Sequence, residues 1–215
     1  MVFVKSILAG MCIGLGGTAY LVVGGIAGAF LFSIALFTIC ERDYYLYTGK
    51  VCYPSWLLKV FWIWLGNLFG CLFISVPFKI CNISVREKAM DIVTVKLNRA
   101  FPEMVMLGIL CGICVYIAVD GFKNNPHELG KYLSLFFGVM IFIICGFEHV
   151  VANMFYFSVA NMWSLLSFGY LAIMILGNSV GGVLFPLCDN FLFSYTFLIF
   201  EIVYIQNQKI FHYKK

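Results

Sequence analysis

Long apolar runs separated by short polar joints dominate this chain and leave few folds open to it. They cover roughly Val2–Gly24, Ile26–Cys40, Trp56–Ile80, Phe101–Val119, Tyr132–Phe147 and Phe168–Leu187. A hydrocarbon core about 30 Å thick takes about 20 apolar residues per helix, so the pattern predicts six membrane-spanning helices. Of the 215 residues, 63% are hydrophobic and 11% charged. A soluble domain has about 45–50% and about 25%, so an ordinary cytosolic enzyme, a disordered tail and a nucleic-acid binder are excluded. A further apolar stretch, Phe191–Ile205, precedes the basic end Lys209–Lys215. It is short for a crossing, and its path is left open. Met1–Tyr20 has one charge before an apolar run, as a signal peptide would. The run is too long for one, and Gly10, Gly14, Gly16 and Gly17 suit close helix packing in lipid.

With the N-terminus inside, the inner joints hold Lys5, Lys50, Lys59, Lys123, Lys131, Lys209, Lys214 and Lys215. Lys79, Arg86, Lys88, Lys96 and Arg99 then fall outside. The net charge of +4 fits such basic edges, and the asymmetry favours both termini on the cytoplasmic side of a cell membrane. The nine cysteines lie mostly in apolar runs and read as small hydrophobes. Cys111 and Cys114 form a CxxC with no second pair, so no metal or other cofactor is expected.

Two pieces recur. Leu65-Gly66-Asn67-Leu68-Phe69-Gly70 is echoed by Leu176-Gly177-Asn178-Ser179-Val180-Gly181. Gly10 and Gly14 are echoed by Gly108 and Gly112, and Gly28 and Phe32 by Gly138 and Phe142. The chain therefore divides into a first three-span repeat (1–80), a polar connector (81–100), a second repeat (101–187) and a C-terminal apolar segment with its basic tail (188–215). Three spans per repeat give the halves opposite topology, a layout in which transport sites form at the midplane.

The second and fifth spans break at matching depth. One meets Glu41-Arg42-Asp43-Tyr44-Tyr45 and continues as Leu46–Gly49; the other meets Gly146-Phe147-Glu148-His149 and continues from Val150. Backbone freed at membrane depth is tolerated only where it lines a cavity or is buried in protein. Glu148 and His149 thus stand out, because charge at the bilayer centre costs about 2.5–3.5 kcal/mol and marks pores and partners. Histidine exchanges protons near physiological pH. Apolar burial and a neighbouring Glu148 or arriving anion would act on its charge in opposite senses. Lys96, in the connector, reads on its own as a solvated lysine. Phe32 and Phe142 read as packing residues.

These residues resemble a known family. GFEHVVANMF (Gly146–Phe155) resembles the G-[FY]-E-H-x-x-A-N-M-[FY] signature of the formate/nitrite transporter family. FSIALFTICERDYYLYTG (Phe32–Gly49), KLNRAF (Lys96–Phe101), LGNSVGG (Leu176–Gly182) and KSILAG (Lys5–Gly10) resemble further family segments, in order. The resemblance covers about Lys5–Gly182. It implies an aquaporin-like six-helix protomer from two inverted repeats, assembled as a homopentamer with a pore in each protomer. The substrates it implies are small monovalent anions of weak acids: formate, nitrite, acetate, lactate or hydrosulfide. His149 would be the central pore histidine, with Asn153 and Thr48 beside it. Lys96 would draw anions into an outer vestibule, Phe32 and Phe142 would form the outer constriction, and Leu36, Leu46, Tyr47 and Val115 the inner one. Glu148 joins the expected pore residues.

The chain departs from the pattern in three places. Tyr45 replaces an acidic residue, Glu41-Arg42-Asp43 stands where the family is small and apolar, and the segment after Gly182 differs. An aquaporin-type pore for neutral solutes lacks its paired NPA loops here. A membrane-embedded enzyme lacks an HExxH motif, and of His127, His149 and His212 only His149 lies within a span. No phosphate-binding GxxxxGK[ST] loop is present, so the expected passage is driven by gradients of anion and proton.

Overall fold

The computed structural model describes residues 1–48, 57–81 and 83–212, with side chains given to residue 189 except that of residue 83. Every element in it is helical: α1 (Val2–Val23), α2 (Gly25–Glu41), α3 (Leu57–Ile80), α4 (Ile83–Leu97), α5 (Phe101–Asn124), α6 (Glu128–Ile144), α7 (Val150–Ala160) and α8 (Leu165–His212). Four helical stretches are long and apolar enough to cross a bilayer: α1, α3, α5 and Leu165–Asp189 of α8. The apolar helices α2 and α7 are shorter. They flank the two breaks, at residues 42–48 and 145–149. α8 runs on helically to His212, so the stretch 191–205 continues the sixth span's helix. Gly49 and the start of the third span at Trp56 lie outside the described residues.

Glycine sets the closest helix pairs. A Cβ at Gly70 would lie 2.6 Å from Met11 N, and one at Gly112 would lie 2.5 Å from Asn178 O. Small residues here let the backbones of α1 and α3, and of α5 and α8, touch, which is how helices associate in lipid. α7 is apolar all round and its eleven residues are all buried. Among the described helices it is the one buried along its whole length, packed against α3, α4, α1 and α8.

The two halves repeat each other in atomic detail. Asn67 Oδ1 accepts from Tyr47 N, while its Nδ2 donates to Ser6 O and Tyr45 O. Asn178 Oδ1 accepts from Val150 N, while its Nδ2 donates to Gly108 O and Glu148 O. The breaks repeat too. Tyr44 N bonds Ile39 O as Phe147 N bonds Phe142 O, and Asp43 (φ 51°) takes the left-handed turn that Gly146 (φ 68°) takes. Asp tolerates this region better than most residues, which lets it replace glycine.

This register corrects two of the sequence echoes. Ser6, and not Gly10, is equivalent to Gly108, so the α1/α5 echo slips by one helical turn. Ile39, and not Phe32, is equivalent to Phe142. Repeated Gly and Phe in apolar helices offer several alignments; the shared asparagine staples select one.

Candidate functional site

The site forms where the second break enters α7. α6 stops at Ile144 and the chain turns through Gly146, whose positive φ favours a residue without Cβ. His149 then caps α7, with its Nδ1 accepting from Ala152 N at 3.3 Å. That bond makes Nδ1 an acceptor, so the neutral ring carries its proton on Nε2. Nε2 is buried and has no partner among the described residues. The ring stacks on Phe142, centroids 5.8 Å apart, and the backbone of Tyr47 approaches it from the other break.

Glu148 is fully buried. Its Oε2 accepts from Lys96 Nζ at 2.5 Å and from Asn153 Nδ2 at 2.8 Å, and its Oε1 pairs with Arg99. A carboxylate out of water needs such a set of donors. This corrects two expectations. Glu148 stands behind the wall rather than on it, with both oxygens turned to other partners than His149. Lys96 is 9% exposed and ion-paired rather than solvated. Burial pushes its ammonium below the usual lysine range, and Glu148 opposes that shift. Arg99, which sequence reasoning passed over, completes the cluster, donating also to Gly146 O and pairing with Glu103 at 3.4 Å.

Because Asn153 Nδ2 is engaged by Glu148, its Oδ1 is turned the other way, and it too has no partner among the described residues. His149, Asn153, Lys96, Arg99, Phe32 and Phe142 line one cavity of about 320 Å³. Phe32 and Phe142 meet edge to face there, centroids 6.1 Å apart. A second cavity of about 520 Å³ is lined by Leu36, Leu46, Tyr47 and Thr48 together with Tyr45 and Lys5. Phe32 lines the first and Leu36 the second. These residues are one turn apart on α2, so about 6 Å of helix separates the two cavities. Thr48 therefore lies in the opposite cavity from His149, next to the Tyr47 backbone that reaches the ring. Val115 is buried in the core and is not among the residues lining either cavity.

A family model described as formate/nitrite transporter matches residues 1–191. The chain belongs to the formate/nitrite transporter family. It is 26% identical over 155 residues to the formate channel FocB of Escherichia coli (strain K12), a match covering 69% of this chain and 52% of that protein. It is 28% identical over 250 residues to a probable formate transporter of Methanothermobacter thermautotrophicus, covering 92% and 89%. The match to FocB thus spans about half of that relative's length. Among solved structures, one titled "Pentameric formate channel with formate bound" superposes with a TM-score of 0.76 at 24% identity, covering 90% of this chain and 96% of that one. An "FNT family ion channel" does so with a TM-score of 0.74 at 23% identity, covering 86% of each chain. At these identities the structures establish the fold alone, which is all-helical; the family model and the apolar helices make the chain a multi-pass membrane protein of a transporter family.

Sequence reading missed the roles of Asn67 and Asn178, although the GN-x-x-G echo marks both. They hold the two breaks in shape. It also missed the Tyr47 hydroxyl, which lies 2.6 Å from Ser179 Oγ and donates to Ile175 O at 3.1 Å, tying the first break to α8.

Proposed function

We propose that the chain is a channel for small monovalent anions of weak acids, with formate, nitrite, hydrosulfide, acetate and lactate as candidates, and that proton exchange occurs at His149. The protomers form a homopentamer in a cell membrane, each half (1–80 and 101–187) contributing to one path per protomer and both termini lying on the cytoplasmic side. The observation that carries this reading is the pair of unsatisfied atoms beside the Phe32–Phe142 pair: a donor, His149 Nε2–H, and an acceptor, Asn153 Oδ1.

A bare carboxylate can only accept hydrogen bonds; a protonated weak acid both accepts and donates. The His149–Asn153 pair therefore matches the acid, with its carbonyl oxygen on Nε2–H and its hydroxyl on Oδ1. Lys96 and Arg99 share the Glu148 carboxylate and face the cavity, which Asp91 also lines; their N–H groups offset part of the anion's desolvation there. Beyond them an anion would meet apolar rings at prohibitive cost, whereas a neutral acid passes cheaply. A charged His149 ring would have to release the bond from Ala152 N. The resting ring is thus the neutral form; a ring charged at Nδ1 gives its Nε2 proton to the bound anion, whose new hydroxyl then turns to Asn153 Oδ1 as the ring regains a proton on Nε2 and sheds the one on Nδ1.

The test is stopped-flow uptake of the candidate anions into proteoliposomes at two pH values, with His149→Phe beside the wild type. Uptake that accelerates as pH falls, and that His149→Phe abolishes or renders insensitive to pH, is the expected result. Identical flux through both proteins at every pH would overturn the role of His149.

A further inference from the structure

His149 caps α7, and Asn153 and Tyr156 follow it by four and seven residues, so the three side chains share one face of the helix. All three line the cavity of about 320 Å³. A long side chain on a helix leans back over the turn before it, so the Tyr156 ring reaches towards Asn153 and not away from it. Two neighbours hold the ring. Lys96 Nζ lies 5.8 Å from its centroid, and so does the centroid of Phe155. Tyr156 is 6% exposed, and its hydroxyl bonds no protein group among the described residues. Such a phenol is both donor and acceptor, kept from bulk water and left free for a ligand. Tyr20 reaches the same cavity from α1, where Gly28 makes room for it: a Cβ there would lie 3.2 Å from Tyr20 Cδ2.

We propose that Tyr156 is a specificity-determining residue: its hydroxyl meets a hydroxyl group on the carbon next to the carboxyl, so that 2-hydroxy monocarboxylates are taken in preference to the same acids without it. This preference rests on the function proposed above and adds a substrate choice to it. With the carboxyl group seated on His149 Nε2 and Asn153 Oδ1, both of its oxygens are occupied and its carbon chain points away from them. Towards the next turn of α7 that chain meets Tyr156. Formate has no such carbon, and acetate offers only a methyl group. A phenol that faces a methyl group loses the water it could bond and gains nothing, whereas one that faces a hydroxyl regains a partner. Sites built around a ligand's hydroxyl reject the analogue that lacks it for this reason. Lys96 and Arg99 are already engaged by Glu148, and Asp91, which also lines the cavity, is exposed. The cavity has room for the added carbon and oxygen atoms.

The test compares acids that differ only in that hydroxyl, glycolate with acetate and lactate with propionate. Binding is read from the shift in melting temperature of the full chain in detergent as each sodium salt is titrated, and passage from uptake into proteoliposomes. Glycolate should bind the wild type several-fold more tightly than acetate, and lactate than propionate. Acetic and propionic acids hold their proton more firmly than their hydroxy counterparts, so acidity alone would favour them at His149 and cannot produce this order. Tyr156→Phe keeps the ring and its contact with Lys96, and should remove the preference in both pairs. A merely structural role would alter all four acids alike and leave the ratios standing. Equal affinities within both pairs in the wild type, no shift with any of the four, or a preference that Tyr156→Phe retains would overturn the role of Tyr156. The wild-type ratios need no variant to fold, and binding needs no transport. A hydroxyl preference without uptake refutes the path and leaves Tyr156 its role; uptake that depends on His149 without the preference refutes Tyr156 and leaves the path.

Discussion

Glu148 is a buried acid whose oxygens are shared among an ammonium, a guanidinium and an amide. Glu148→Gln would keep the shape and leave Lys96 and Arg99 facing each other beside an uncharged amide. Breaking one side of a buried ion pair costs about 3–5 kcal/mol. The variant is therefore expected to unfold at a clearly lower temperature in detergent than the wild type, as read by its thermal melt. Arg99→Gln should cost less, because Arg99 is partly exposed and Lys96 and Asn153 still hold the carboxylate. Equal melting of Glu148→Gln and wild type would mean that the cluster contributes nothing to stability. The sequence showed that Glu148 and His149 were out of place in an apolar span, but not what they touch. Lys96 read as solvated because its partner lies 52 positions away, and only the docking of α4 onto α7 brings them together.

The elements were more legible than the contacts, since apolar run length is a one-dimensional signal. All six runs became helices over most of their described length, the fifth stopping at Ile144, and both breaks fall at the charged or glycine-containing joints. The register of the repeat was less legible. A helix rich in Gly and Phe aligns with its counterpart almost equally well one or two turns out of step, and only hydrogen bonds to Asn67 and Asn178 remove the ambiguity. These asparagines each serve three backbone groups, which no apolar residue can do. Asn178→Leu would strand Val150 N–H and lose the donor to Gly108 O and Glu148 O. A buried polar group left without a partner costs about 1–3 kcal/mol. The expected result is a lower melting temperature for Asn178→Leu, and a similar fall for Asn67→Leu, whose staple is the same. A large fall in one and none in the other would show that the halves do not carry equal loads. Gly112→Val tests the packing itself. A Cβ there already falls on Asn178 O, so α5 must move away from α8, and the protein should lose both stability and yield of folded material.

At the scale of the whole molecule, pseudo-symmetry turns two copies of one design into two cavities with unlike linings. One cavity ends on the Phe32–Phe142 pair under a carboxylate-bound pair of cations. The other ends on Leu36, Leu46 and Tyr47 beside the ring of Tyr45, near Lys5 and Lys59. The barrier between them is about one helical turn, so thinning it from either side has a predictable effect. Phe32→Ala removes the ring that meets Phe142 on one face, and Leu36→Ala removes the side chain one turn along α2 on the other. If the cavities are two mouths of one path, each variant should pass formate faster than the wild type in proteoliposomes. The double variant should also begin to leak chloride, an ion that no proton at ordinary pH can neutralise. Both single variants should remain selective, because each leaves one apolar constriction that an unprotonated anion must still cross at high cost. Faster formate flux in the single variants with chloride leak confined to the double variant is therefore the expected pattern. Chloride leak through Leu36→Ala alone would place the whole selectivity barrier on the Tyr45 side, and the pairing of two constrictions around His149 would have to be abandoned.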